Sequence, residues 1–133
     1  MKIELFAICD SATHDADGKL NITGAFDNVV RATLPYDHPD CMVVARVRYE
    51  RDDEGLQTIL VRLTDPDGAE LLPAIGCEVL CDFPGDTTHV PLTVMAGLSG
   101  LRSEKYGDHV LECLHKGTVL ASTPLLVTRK PAY

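Results

Sequence analysis

Apolar and polar residues alternate with a period of two along most of the chain. No window keeps the 3.6-residue spacing over the roughly ten positions that a helix requires. The pattern is clearest from Cys41 to Glu50, where Cys41, Val43, Ala45, Val47 and Tyr49 fall on one face and Arg46, Arg48 and Glu50 on the other. Lys2 to Cys9 sets Ile3, Leu5, Ala7 and Cys9 on one face in the same way. Further strands are expected at Leu20 to Arg31, Leu56 to Thr64, Ala69 to Leu72, Cys77 to Phe83, Thr87 to Leu98, His109 to Leu114 and Thr118 to Thr128. Pro91 has no amide hydrogen to donate, so the strand that holds it is expected at an edge or a bulge. Turns are expected at Asp15-Ala16-Asp17-Gly18, Asp65-Pro66-Asp67-Gly68, Pro84-Gly85-Asp86 and Lys116-Gly117, where glycine supplies the positive φ that other residues resist. Roughly eight or nine short strands without helices between them predict an all-β chain. The expected architecture is a two-sheet antiparallel β-sandwich, immunoglobulin-like or a related Greek key, with a small closed β-barrel as the alternative. Residues 1–133 are expected to form a single domain.

Charge narrows the classes of partner. The 133 residues carry 20 acidic and 12 basic side chains, a net charge of -8, and the basic ones are scattered. Such a surface repels phosphate backbones and anionic bilayers, so neither nucleic acid nor membrane is an expected partner. The opening apolar run is broken by Glu4 and stopped by Asp10, too short for a signal peptide, and no segment reaches the roughly 20 apolar residues of a membrane span. The chain therefore reads as cytoplasmic. An odd set of cysteines, Cys9, Cys41, Cys77, Cys81 and Cys113, agrees with reduced thiols filling core positions. Cys77 and Cys81 share one strand, about 13 Å apart, too far for a disulfide.

Two stretches, Lys2-Ile3-Glu4-Leu5-Phe6 with Cys9-Asp10, and Leu20-Asn21-Ile22-Thr23-Gly24-Ala25-Phe26-Asp27, together with the closing Pro124-Leu125-Leu126-Val127, resemble a bacterial family of unknown function. The resemblance spans nearly the whole chain and implies a small β domain, without implying an activity or functional residues. The closing hairpin is also similar to the last two strands of immunoglobulin-like domains, with Leu101 and Gly107-Asp108-His109 in the pattern and His109 where a tyrosine usually stands.

A search for catalytic chemistry returns little. Gly97-Leu98-Ser99-Gly100 has its second glycine one residue too early for a nucleophile elbow, and neither a phosphate loop nor a dinucleotide fingerprint occurs. His14, His38, His89, His109 and His115 never fall at the spacing that sets two imidazoles on one metal. His109 is expected to close the last hairpin and His115 to sit at its exposed tip. Cys113 shares the face of Leu111 and is expected in the core rather than as a nucleophile. No catalytic, cofactor-binding or metal-binding residue is assigned, and no cofactor is expected.

The acidic residues concentrate in turns. If every connection reverses direction, Asp15, Asp17, Asp52, Asp53, Glu54, Glu104 and Asp108 share one end of the sandwich, and Asp37, Asp40, Asp65, Asp67 and Asp86 the other. The two Asp-x-Asp-Gly turns then lie at opposite ends. The leading expectation is a non-enzymatic module that binds another protein or its own copy through an open sheet edge, at the first strand or at Thr118 to Thr128. The alternatives are calcium or small-ligand binding through the acidic loops at one end, and an enzyme whose site is assembled from dispersed His, Asp and Cys residues.

Overall fold

The computed structural model describes residues 1–87 and 89–130, with no account of the His89 side chain. Eleven strands follow one another: β1 Lys2–His14, β2 Leu20–Phe26, β3 Asn28–Val30, β4 Tyr36–Asp37, β5 Cys41–Glu50, β6 Gly55–Thr64, β7 Ile75–Cys81, β8 His89–Leu98, β9 Arg102–Ser103, β10 Gly107–His115 and β11 Thr118–Thr128. The one helical element among the described residues is a single 3-10 turn at Arg51–Asp53. The strands form an all-β sandwich. One sheet runs β2-β1-β5-β8, the other β3-β11-β10-β6-β7, and β4 pairs with β9 in a small ladder. Each large sheet stops at open edges, β2 and β8 in one, β3 and β7 in the other, so hydrogen bonding does not close a barrel.

The core lies between the two large sheets. Ile8, Val43 and Ala96 of the first sheet pack with Val61, Leu63, Leu111, Leu125 and Val127 of the second. A second cluster joins Ala45, Val47 and Val94 to Ile59 and Cys113. The expected inward face of β5 is buried at every position from Cys41 to Tyr49. Pro91 sits in β8, which pairs with β5 alone and is an edge. The β10–β11 turn places Lys116 at φ 51 and Gly117 at φ 78, the left-handed pair that a two-residue hairpin needs.

Three strand assignments change. In β1 the register against β5 shifts between Ile3 and Leu5. One extra residue in a strand reverses the face of everything beyond it. Phe6 and Ile8 therefore pack inward with Ile3, while Leu5 is 37% exposed and Cys9 joins Val44 and Met42 in a separate cluster. The expected common face of Ile3, Leu5, Ala7 and Cys9 is thus corrected. The stretch from Leu20 to Arg31 is two strands rather than one: β2 ends at Phe26, and β3 joins the other sheet parallel to β11. That parallel pair departs from the expected all-antiparallel pattern. Ala69 to Leu72 contributes only an isolated bridge, Thr64 to Glu70.

The division of β2 from β3 also corrects the sorting of the loops. β3 runs back toward the end that β2 left, so β5 starts beside the β1–β2 turn. Asp15, Asp17, Asp37, Asp40, Asp65, Asp67, Glu104 and Asp108 consequently gather at the Gly18 end. Asp52, Asp53, Glu54 and Asp86 lie at the Met1 end. Counting one strand where the chain makes two exchanged the ends of the loops before β5, after β5 and after β6; counting a strand at Ala69 to Leu72 that does not form offset the error, so Asp86, Glu104 and Asp108 keep their expected ends.

Candidate functional site

The two Asp-x-Asp-Gly turns share one end and one geometry. Asp15 Oδ1 accepts from the amides of Asp17 and Lys19, each at 2.9 Å. Asp65 Oδ1 accepts from Asp67 at 2.9 Å and Ala69 at 3.0 Å. Gly18 and Gly68 take φ 78 and 88 and close each turn onto the aspartate carbonyl. The carboxylates face their own loop amides, the role of an Asx turn. The Ala69 amide leads the contacts that hold the Asp65 carboxyl below the usual carboxylate range, with Lys105 contributing. Among the described residues no group of three or more His, Cys, Asp and Glu side chains is arranged to hold a metal ion.

At the Met1 end, Asp53 is buried. Its Oδ2 accepts from the Glu50 amide at 3.1 Å and lies 2.9 Å from the Met1 amino group. Burial pushes its carboxyl up, but the Glu50 amide and the Met1 ammonium outweigh this and hold it low. His115, expected at an exposed tip, is 9% exposed and bonded at 2.8 Å to Gln57 Oε1. β10 runs in unbroken register with β6 through His115, so His115 keeps the buried face of Leu111 and Cys113 and is covered by Gln57 of β6. Burial holds His115 below its ordinary value.

His38, from the β4–β5 connection, meets Ser103 of β9, with Nε2 2.7 Å from the Ser103 hydroxyl. A serine beside an imidazole is the start of a nucleophile pair. Ser103 is 0% exposed, however, so no substrate carbonyl reaches it. Burial, then His109, keeps His38 below its ordinary value and neutral. His109 is itself fully buried, with Nδ1 3.2 Å from the Gly107 carbonyl. The five thiols are free, and burial raises each of them, Cys113 to about 11. A thiol raised in this way is protonated at neutral pH and a poor nucleophile. The His89 side chain lies outside the described residues.

β1 pairs with β2 only from Ile8 onward and β11 with β3 only from Leu126 onward, so the expected edges keep a free side at residues 2–7 and 118–125, the latter interrupted by Pro124. The strands at the ends of the sheets are β2, β8, β3 and β7. Proline interrupts β8, β3 has 3 residues, and Gly24 takes φ 67 within β2. β7, with 7 residues, holds neither a proline nor a positive φ. On its outer face Leu80 pairs directly with Leu56 of β6, and these two are the most exposed large apolar residues described, at 66% and 65%. A regular edge strand bordered by an exposed apolar pair is the form of a strand-binding surface. The pair sits in alternation the sequence already showed, but only sheet order identifies β7 as an edge.

The fold and these surfaces define a small all-β sandwich domain with open sheet edges. The chain belongs to a family described as a family of unknown function (DUF6941), whose match covers residues 4–128. Neither the curated proteins nor the solved structures contain a match to it. Among the described residues no helix is long and apolar enough to cross a membrane.

Proposed function

We propose that the protein is a non-enzymatic binding module that takes a strand from a partner protein onto the β7 edge. The observation that carries this reading is the Leu56–Leu80 pair, exposed on a regular strand whose outer edge is open. An incoming strand meets Gly76, Glu78 and Leu80 on the outer face, so it needs a basic residue against Glu78 and an apolar one against Leu80. A second copy is a poor occupant: antiparallel pairing centred on β7 sets Glu78 against Glu78, between two chains each of charge -8.

The sealed Ser103 and the protonated thiols support a role without catalysis. Five free thiols, four of them buried, support a reducing, cytoplasmic setting. The strand order supports an immunoglobulin-like topology. β1-β5-β8 follows the A-B-E order of such domains, and β11-β10-β6-β7 the G-F-C order with an added C′ strand.

Selection of strand-forming peptides on the immobilised chain tests this reading. Recovered peptides are expected to alternate apolar and basic residues, to protect the β7 amides from hydrogen exchange, and to bind Leu80→Lys at least roughly tenfold more weakly. Peptides that bind Leu80→Lys unchanged and leave β7 exchange unaltered would remove it.

A further inference from the structure

A cleft of about 400 Å³ opens where the chain crosses from the first sheet to the second, between β2, β3 and the start of β5. It sits beside β3, at the edge of its sheet opposite β7, and is independent of the strand-binding surface. The volume falls at the lower end of small-molecule sites, roughly 300 to 1,000 Å³. Phe26, Val29, Val30 and Pro39 supply an apolar lining.

Two opposite charges reach into this lining from different sheets. Asp10 of β1 lies over Gly24, whose φ of 67 and missing side chain leave room for the carboxylate; a Cβ there would overlap it. Among the described residues the Asp10 carboxylate takes no hydrogen bond and no ion pair. Arg31 follows β3 and is held before any ligand arrives. Its amide donates to Thr128 at 2.8 Å, and its carbonyl accepts from the Tyr106 hydroxyl at 3.0 Å. Its guanidinium stacks 4.0 Å over the Tyr36 ring and donates to the Tyr36 hydroxyl at 2.6 Å. Arg31 has no carboxylate partner among the described residues, which it shares with Arg46, Arg51 and Arg129.

We propose that this cleft binds a small zwitterion, a free α-amino acid with an apolar side chain, with its ammonium on Asp10 and its carboxylate on Arg31. The apolar lining takes the side chain, and the tethered Arg31 loses little freedom on binding. Groups of both signs on an apolar wall discriminate against ligands that carry only one charge, because the other protein charge is then left desolvated without a partner.

Calorimetric titration of the full chain tests the assignment with leucine and phenylalanine, their decarboxylated amines, and their desamino acids. The amino acids are expected to bind, and each single-charge analogue at least roughly tenfold more weakly. Asp10→Asn is expected to abolish the preference over the desamino acid, and Arg31→Gln the preference over the amine. Both side chains are exposed, and a melting curve for each variant establishes that it is folded. Absence of heat with either amino acid at millimolar concentration overturns the proposal. So does an analogue that binds as tightly as its parent, or a folded pair of variants that bind as the natural chain does.

Discussion

At the scale of residues, the turn aspartates and the Asp10–Gly24 pair differ in how far sequence exposes them. Asp15 and Asp65 bond amides two and four positions ahead, so their role is local and legible in Asp-x-Asp-Gly itself. Asp65 is also buried and meets Lys105, whereas Asp15 is exposed. Asp65→Ala is therefore expected to lower the melting temperature more than Asp15→Ala; an equal or reversed order would deny the burial any role. Asp10 and Gly24 are brought together only by the pairing of β1 with β2. Gly24→Ala is expected to cost about 1–3 kcal/mol in urea unfolding, from positive φ and from the clash with Asp10. In an Asp10→Ala background the clash is gone and the cost should fall. The same cost in both backgrounds would mean that φ alone restricts the site.

At the scale of elements, regular alternation succeeded where a strand has no bulge. β5 carries its inward set from Cys41 to Tyr49. β1 defeats the same reasoning, because a bulge is a pairing event between strands and leaves no mark in the spacing of one of them. The structure therefore inverts an ordering that simple alternation predicts. Ile8, 2% exposed, is expected to lose about 2–5 kcal/mol on replacement by alanine, and Leu5 less than about 1 kcal/mol. Chemical denaturation of the two variants decides it, and a larger loss at Leu5 would refute the bulge. The β2–β3 division was hidden for a similar reason: apolar residues continue on both sides of the crossing, at Ala25-Phe26 and Val29-Val30, and only the short step Asp27-Asn28 marks it.

At the scale of the whole molecule, the acidic excess and the buried imidazoles set the response to pH. His38 and His115 are held below the ordinary histidine value of about 6.5, chiefly by burial. The unfolded chain thus binds protons more readily at these sites, and their neutral forms contribute stability that is complete above about 6.5 and declines as pH falls toward the depressed folded values. Asp53 and Asp65 act lower on the scale. Their carboxyls are depressed, so the stability they add is present above the ordinary carboxylate range and lost as pH falls through the lowered values. Melting temperature should therefore begin to fall below about pH 6.5 and fall again in strong acid. His38→Asn should flatten part of the first decline, and an unchanged profile in that variant would assign it elsewhere. By itself, the sequence determined the all-β class, most strand positions, the turn chemistry and the free thiols, because these depend on residue spacing along a single strand or loop. Tertiary structure alone decided which strands are edges, which loops share an end, and which side chains line the cleft. Those depend on pairing between distant strands, where one bulge turns over the rest of β1 and one early crossing at Asp27 exchanges the ends of the loops around β5 and after β6.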